Sequence, residues 1–354
     1  MYGRYAQIMI LMVLLAGLAF PLQAFCQEVE RTTSLSVEGA YYLPDHKGYD
    51  VSSGGLAPIS YSPVALIPSF VPPPADPADQ GRTLGSSWGP AEIQVLLNHT
   101  IRVPFLAGSG SLTSGNNVSF SVTGAISPVS ARLEGEATLT PIAFLNVFAG
   151  AMAGTGWDIG LFNGMGLNAD GSGVPESASL QGAVLKSWIG GTFQFDLAAL
   201  VPGAWTHVVT LLSPRLQYAW FSGAERGQAW MFEADIGENF NGWKLLGNYF
   251  LGYQMPLVLN TVGVLLQTEQ NLGYVRDLSP LAVGGWASDF ILITISPVLN
   301  FKLSERSSLA ALVQFRRERL YTANSVFYAY FENRDYVGVY WDFYRIAFSY
   351  SLKL

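Results

Sequence analysis

Hydrophobic and polar side chains alternate with period two along much of this chain. Ser130, Arg132, Glu134, Glu136 and Thr138 share one face of a stretch whose other face is Ala131, Leu133, Gly135, Ala137 and Leu139. Glu92, Gln94, Asn98, Thr100 and Arg102 oppose Ile93, Val95, Leu97, Ile101 and Val103 in the same way. A third set places Thr294, Ser296, Asn300 and Lys302 against Ile291, Ile293, Ile295, Leu299 and Phe301. Strand side chains point to alternate faces, so each set is one face of a β-strand. The pattern predicts strands at 32–43, 90–103, 117–126, 130–140, 144–156, 183–199, 206–221, 229–238, 242–254, 257–268, 288–303, 307–321 and 340–354.

Most of these strands are about 10 to 16 residues long, against the five or six usual in globular proteins. A soluble sandwich would also alternate, but it would need more charge on its surface. Half of the 354 residues are hydrophobic and 13% are charged, against about 25% charged in ordinary soluble domains. Beyond the N-terminal region no run of 18 uninterrupted apolar residues occurs, so helical spans are not predicted. In hydrocarbon the remaining way to satisfy every backbone N–H and C=O is a closed barrel. Aromatic residues near predicted strand ends (Trp220, Phe221, Trp230, Phe232, Trp243, Trp286, Tyr340, Trp341, Phe343 and Tyr344) suit the interfacial girdles of such a barrel.

The expectation is an all-β, up-and-down antiparallel transmembrane barrel over residues 27–354. Single-chain bacterial barrels have even strand numbers. Either 325–331 adds a strand to make fourteen, or two of the segments belong together to make twelve. Short turns are expected at 141–144, 201–206 and 303–307. Long loops are expected at 45–89, 158–179, 271–285 and 323–338, which are rich in Gly, Asp, Asn and Ser. Within 45–89, the stretch 53–87 carries seven prolines and cannot be an inner strand. It reads as an exposed loop or, given Leu66, Ile67, Phe70 and Val71, as a partial plug.

Residues 1–26 read as a signal peptide. Arg4 supplies the positive start, and Ile8 to Phe20 form an apolar run of 13 residues, short for a spanning helix. Cleavage after Ala24 and cleavage after Cys26 both fit. Cys26 is the single cysteine, and a lipidated N-terminus there is a rival reading; without a second cysteine no disulfide or metal site built on thiolates is expected. Without residues 1–26 the net charge is about −8. A nucleic-acid partner, which requires a basic face, is therefore not expected. A cation-preferring lumen is compatible with that charge, which does not locate the groups.

The end of the chain carries the most specific signal. Ile346, Phe348, Tyr350, Leu352 and Leu354 alternate with Ala347, Ser349, Ser351 and Lys353. This resembles the C-terminal signature of bacterial outer-membrane β-barrel proteins, which usually ends in Phe or Trp where this chain has Leu354. The resemblance implies location in the bacterial outer membrane, contact with its lipid, and recognition by the barrel assembly machinery. In size the chain is similar to the fourteen-stranded hydrophobic-compound transporters of that class, but no residues match their plug motif.

Candidate chemistry is sparse. His46, His99 and His207 are the three histidines, no Gly-x-Ser-x-Gly elbow occurs, and no cofactor or metal motif is present. Neither enzymatic activity nor a cofactor is expected. The pairs Glu134/Glu136 and Glu233/Asp235 would sit about 7 Å apart on strand faces and read as lumen lining. Glu92, Arg102, Arg132, Glu134, Glu136, Lys186, Asp196, Glu233, Asp235, Lys244, Arg316, Glu318 and Arg345 form the predicted lumen-facing set. Such groups need water or partners. The functional expectation is a passive channel or a transporter of small solutes or hydrophobic compounds. The alternative is a non-transporting barrel that uses its long loops for structure or surface binding.

Overall fold

The computed structural model describes residues 29–42, 55–56, 91–159, 162–167, 176–177, 179–224, 230–233, 239–272, 290–323 and 334–354. Residues 1–26, read from the sequence as a signal peptide, the 325–331 segment and all of 45–89 except Gly55–Leu56 lie outside the described residues.

Twelve long strands form the wall. They are β1 (Glu30–Tyr42), β2 (Ala91–Pro104), β3 (Asn117–Ile126), β4 (Ser130–Ile142), β5 (Leu145–Gly156), β6 (Val184–Asp196), β7 (His207–Phe221), β8 (Gly242–Gln254), β9 (Leu259–Asn271), β10 (Leu292–Lys302), β11 (Ser307–Ala323) and β12 (Arg334–Lys353). Each pairs antiparallel with its sequence neighbours, and β12 pairs with β1 in a register that runs from Ser34↔Lys353 to Tyr42↔Arg345. The sheet is therefore a closed meander without free long edges, the arrangement of outer-membrane barrels. Strands of 10 to 13 residues rise about 25–33 Å at a tilt near 40°, enough for a bilayer's apolar core. β11 and β12, with 17 and 20 residues, continue beyond that height, and Gly55–Leu56 pairs with β11 there at Tyr321 and Thr322.

The connections differ at the two ends. At the end that carries the start of β1 and the close of β12, here the terminal end, the links are 105–116, 143–144, 197–206, 255–258 and 303–306. At the far end they include 43–90, 157–183, 222–241 and 272–291. The expected short turns and long loops each fall at one consistent end.

The outer face is apolar. Ile93, Val95 and Leu97 of β2, Leu133 of β4, Ile189 of β6 and Leu251 of β8 are all exposed, which a soluble fold would not tolerate over such an area. Proline enters the middle of two strands, at Pro214 and Pro297. The ladder skips there, between Gly190↔Arg215 and Phe193↔Leu212 in one case and between Ile295↔Phe315 and Val298↔Leu312 in the other. A missing N–H donor explains both gaps.

The structure corrects one of the thirteen predicted strands. Of the predicted 229–238 strand, the described Trp230–Phe232 pairs with Met165–Leu167, not with the wall. Met165–Leu167 in turn pairs with Glu176–Ser177. Two far-end connections thus make a small sheet of their own. Trp230, Phe232 and Met165 are buried together with the lumen-facing Met152, Val184, Trp188, Ala219 and Phe221, each such burial contributing about 1.5–3 kcal/mol. Tyr344 is buried as well. Several aromatics expected at the membrane girdle therefore sit inside the barrel. Trp243 and Trp341 remain exposed outside, with Trp243 edge-on to Tyr218 at 5.2 Å.

Candidate functional site: a charged layer in the lumen

Inward positions follow from strand parity. Glu38, Gln94, Arg132, Lys186, Arg215, Lys244, Glu269, Gln314 and Arg345 all lie on the faces opposite the exposed apolar residues. They gather in the far half of the barrel. Toward the terminal end the inner face changes to hydroxyls and amides that pair across strands: Ser36 with Ser351 at 3.2 Å, Asn98 with Thr123 at 2.7 Å, and Thr192 with Ser213 at 2.7 Å.

The charged half is knitted by hydrogen bonds. Arg132 donates to Glu134 at 2.7 Å, to Gln94 at 2.9 Å and to Glu233. Gln94 donates to Glu38 at 2.8 Å, which carries the chain of contacts from β4 to β1. Glu233 follows the Trp230–Phe232 segment with a left-handed φ of 62°. That turn is pinned by its N–H on the Gly164 carbonyl at 2.9 Å and by Ser130 on its carboxylate at 3.2 Å. Across the lumen, Lys244 is buried and donates to Glu269 at 2.5 Å and Asn239 at 2.9 Å. Arg345 donates to Gln314, and Arg316 lies over the Tyr344 ring at 3.4 Å.

Close packing is made by glycines on the inner face. A Cβ at Gly150 would stand 2.6 Å from the Trp188 indole, and one at Gly154 would stand 2.7 Å from the Phe232 ring. Gly150 lets Trp188 of β6 lie across β5 and donate its N–H to Glu136 of β4 at 2.8 Å. Gly154 gives Phe232 its seat. Asn241 clamps the same far-end connection. It accepts from the Phe221 N–H at 2.7 Å and the Trp230 indole at 3.1 Å, and donates to the carbonyls of Phe221 and Ala224.

Two adjoining cavities open onto this layer, of about 620 and about 470 Å³. Both are lined by Lys186, Glu233, Lys244, Glu269, Arg316 and Arg345. The two spaces thus share one charged wall.

The predicted set divides as follows. Arg132, Glu134, Lys186, Glu233, Lys244, Arg316 and Arg345 line the cavities, and Glu136 lies beside them under Trp188. Arg102 is at the terminal rim, exposed and paired with Glu30 at 3.0 Å. Asp196 is also at that rim, capping the Leu197–Ala199 turn and bonded to His207 at 2.6 Å. Asp235 and the side chains of Glu92 and Glu318 lie outside the described residues. Glu38, Arg215 and Glu269 are lumen residues absent from the predicted set. Their signal was the same alternation, for example Ser213, Arg215 and Gln217 on one face of β7.

No protein-family profile and no curated protein matches this sequence. Among solved structures, the transport unit of the autotransporter AIDA-I from Escherichia coli aligns with 99% of this chain and 97% of its own, at 11% identity and a TM-score of 0.30. CdiB from Acinetobacter baumannii aligns over 94% of this chain and 61% of its own, at 8% identity and 0.31. OccK11 (OpdR) from Pseudomonas aeruginosa aligns over 92% and 96%, at 10% identity and 0.23. These values are low, and the functional reading rests on this chain's own geometry.

Other chemistry is thin. His99 faces outward and meets Thr33 at 2.9 Å, while His207 is engaged by Asp196 at 2.6 Å. Among the described residues no group of three His, Cys, Asp or Glu could hold a metal ion. His46 lies outside them.

Proposed function

We propose that this chain is a passive channel of the bacterial outer membrane, admitting small polar solutes through a lumen narrowed by its own far-end connections. The observation that supports it is the pair of adjoining cavities inside the barrel that share one charged lining. Charge in the middle of a barrel is stable where water reaches it, and rings of charged side chains set selectivity in channels of this type. The short-turn end would face the periplasm and the long connections the exterior. The reading is non-enzymatic, needs no cofactor, and takes lipid and the barrel assembly machinery as the chain's partners. Hydrophobic cargo fits less well, because charged side chains line both cavities.

A second reading draws on a different observation. Trp230, Phe232 and Met165 are fully or almost fully buried inside the lumen, as expected of a permanent closure. The barrel would then be a platform for its outer loops. Planar-bilayer recording on refolded protein decides between them. Discrete conductance steps in potassium chloride are expected. Silence across a range of salts and voltages overturns the channel and leaves the platform.

A further inference from the structure

The chain is acidic overall, yet its smaller cavity is not. Arg132, Lys186, Arg215, Lys244, Arg316 and Arg345 line it, against Glu134, Glu233 and Glu269. All three acids are already engaged, two by Arg132 and one by Lys244. Arg215 is different. Its Nε is buried without a hydrogen-bond partner, and it forms no ion pair with any described residue. It stacks over the Trp188 ring at 5.5 Å.

The reason lies in Glu136, which meets the same Trp188 side chain that Arg215 stacks on. Glu136 accepts the Trp188 indole N–H at 2.8 Å and the Thr138 hydroxyl at 3.4 Å. Trp188 therefore contacts both charges, holding the acid by its edge and the guanidinium by its face. A buried guanidinium nitrogen without an acceptor is costly, and Arg215 carries one beside the cavity it lines. Its planar fork matches the two oxygens of a carboxylate or phosphate.

We propose that Arg215 is an anion-binding residue, and that the smaller cavity takes a small solute bearing a carboxylate or phosphate group. The proposal rests on the channel reading for access to the cavity and names the class of solute held there. Trp188 keeps the site empty of protein carboxylate and ready for an external one. Lys186 and Arg316, on the cavity wall, add to the local positive field.

The test is a titration of refolded protein in zwitterionic detergent at constant ionic strength, with sodium succinate, sodium phosphate and, as control, choline chloride. Calorimetry should show saturable binding of succinate or phosphate and none of choline. Arg215→Gln should weaken it by about tenfold or more, and Arg215→Lys by less, since an ammonium keeps the charge but cannot form the two parallel hydrogen bonds. Trp188→Phe keeps the ring but loses the N–H, which frees Glu136 to compete for Arg215, and should also weaken binding. The rim variant Lys302→Gln should leave it unchanged. No saturable anion binding, or equal binding in the wild type and in both Arg215 variants, overturns the site. Bilayer recordings on the same preparation keep the two proposals apart: binding without conductance overturns the channel alone, and conductance without binding overturns the site alone.

Discussion

Glu233, carried into the lumen by a far-end segment, forms an ion pair with Arg132 of the β4 wall. The two are 101 residues apart in the chain, and their contact ties the inserted segment to the barrel. Glu233→Gln removes the charge while keeping the shape. Both side chains are partly accessible, so the loss is about 1 kcal/mol. In single-channel records the occupancy of the largest conductance level should rise about fivefold. Unchanged dwell times would show that the pair does not hold the segment.

The seat of that segment can be tested from the wall side. A Cβ at Gly154 would collide with the Phe232 ring, so Gly154→Val should displace the segment much as Phe232→Ala does. Truncating a buried Phe costs about 3–5 kcal/mol in a well-packed site. The near-ultraviolet circular dichroism of the buried Trp230 cluster should melt before the barrel's far-ultraviolet signal in both variants. A single shared transition at the wild-type temperature would argue against this coupling.

Lys244 and Glu269 offer a test of the buried pair. Lys244→Met leaves Glu269 and Asn239 facing each other without their cation, a loss of about 1–3 kcal/mol in a lumen reached by water. The double change Lys244→Met with Glu269→Leu should recover much of it. Urea unfolding in lipid vesicles reads both. Failure of the double variant to recover would mean that the two residues stabilise the barrel independently.

The lipid face makes an independent prediction. Ile189 sits mid-strand on β6 and is 56% exposed. Ile189→Arg should destabilise the vesicle-inserted protein by about 2–4 kcal/mol. Ser121→Arg, on the inner face of β3, should change stability by less than about 1 kcal/mol. Equal losses at the two positions would contradict the assignment of faces.

Much of this architecture was legible as alternation. Period two fixes which residues share a face, so Arg132, Glu134 and Glu136 fall together before any coordinates are known. The error at 229–238 has a clear physical origin. Trp230-Met231-Phe232 is extended and apolar, as a wall strand is, and sequence does not say which strand an extended segment will pair with. Its partner, Met165–Leu167, is another loop segment, and the pairing depends on the Gly154 seat and the Asn241 clamp. Trp230, Phe232 and Tyr344 resembled interfacial rings because aromatic residues stabilise both bilayer interfaces and packed interiors. The sign of the smaller cavity was hidden for a similar reason. Net charge adds every residue, while the cavity counts only those brought to it, and Arg215's isolation depends on an indole from the neighbouring strand.

Closure of the meander through β1 and β12 sets a kinetic requirement. Ser34 meets Lys353, so the last seam joins segments more than three hundred residues apart. Such a pairing contributes heavily to contact order and pays its loop entropy before any reward. β1 must wait, with its apolar face uncovered, until β12 has been synthesised and delivered. Exposed strands of this composition aggregate in water, so the separation of the two seam strands in the chain sets an interval of aggregation hazard.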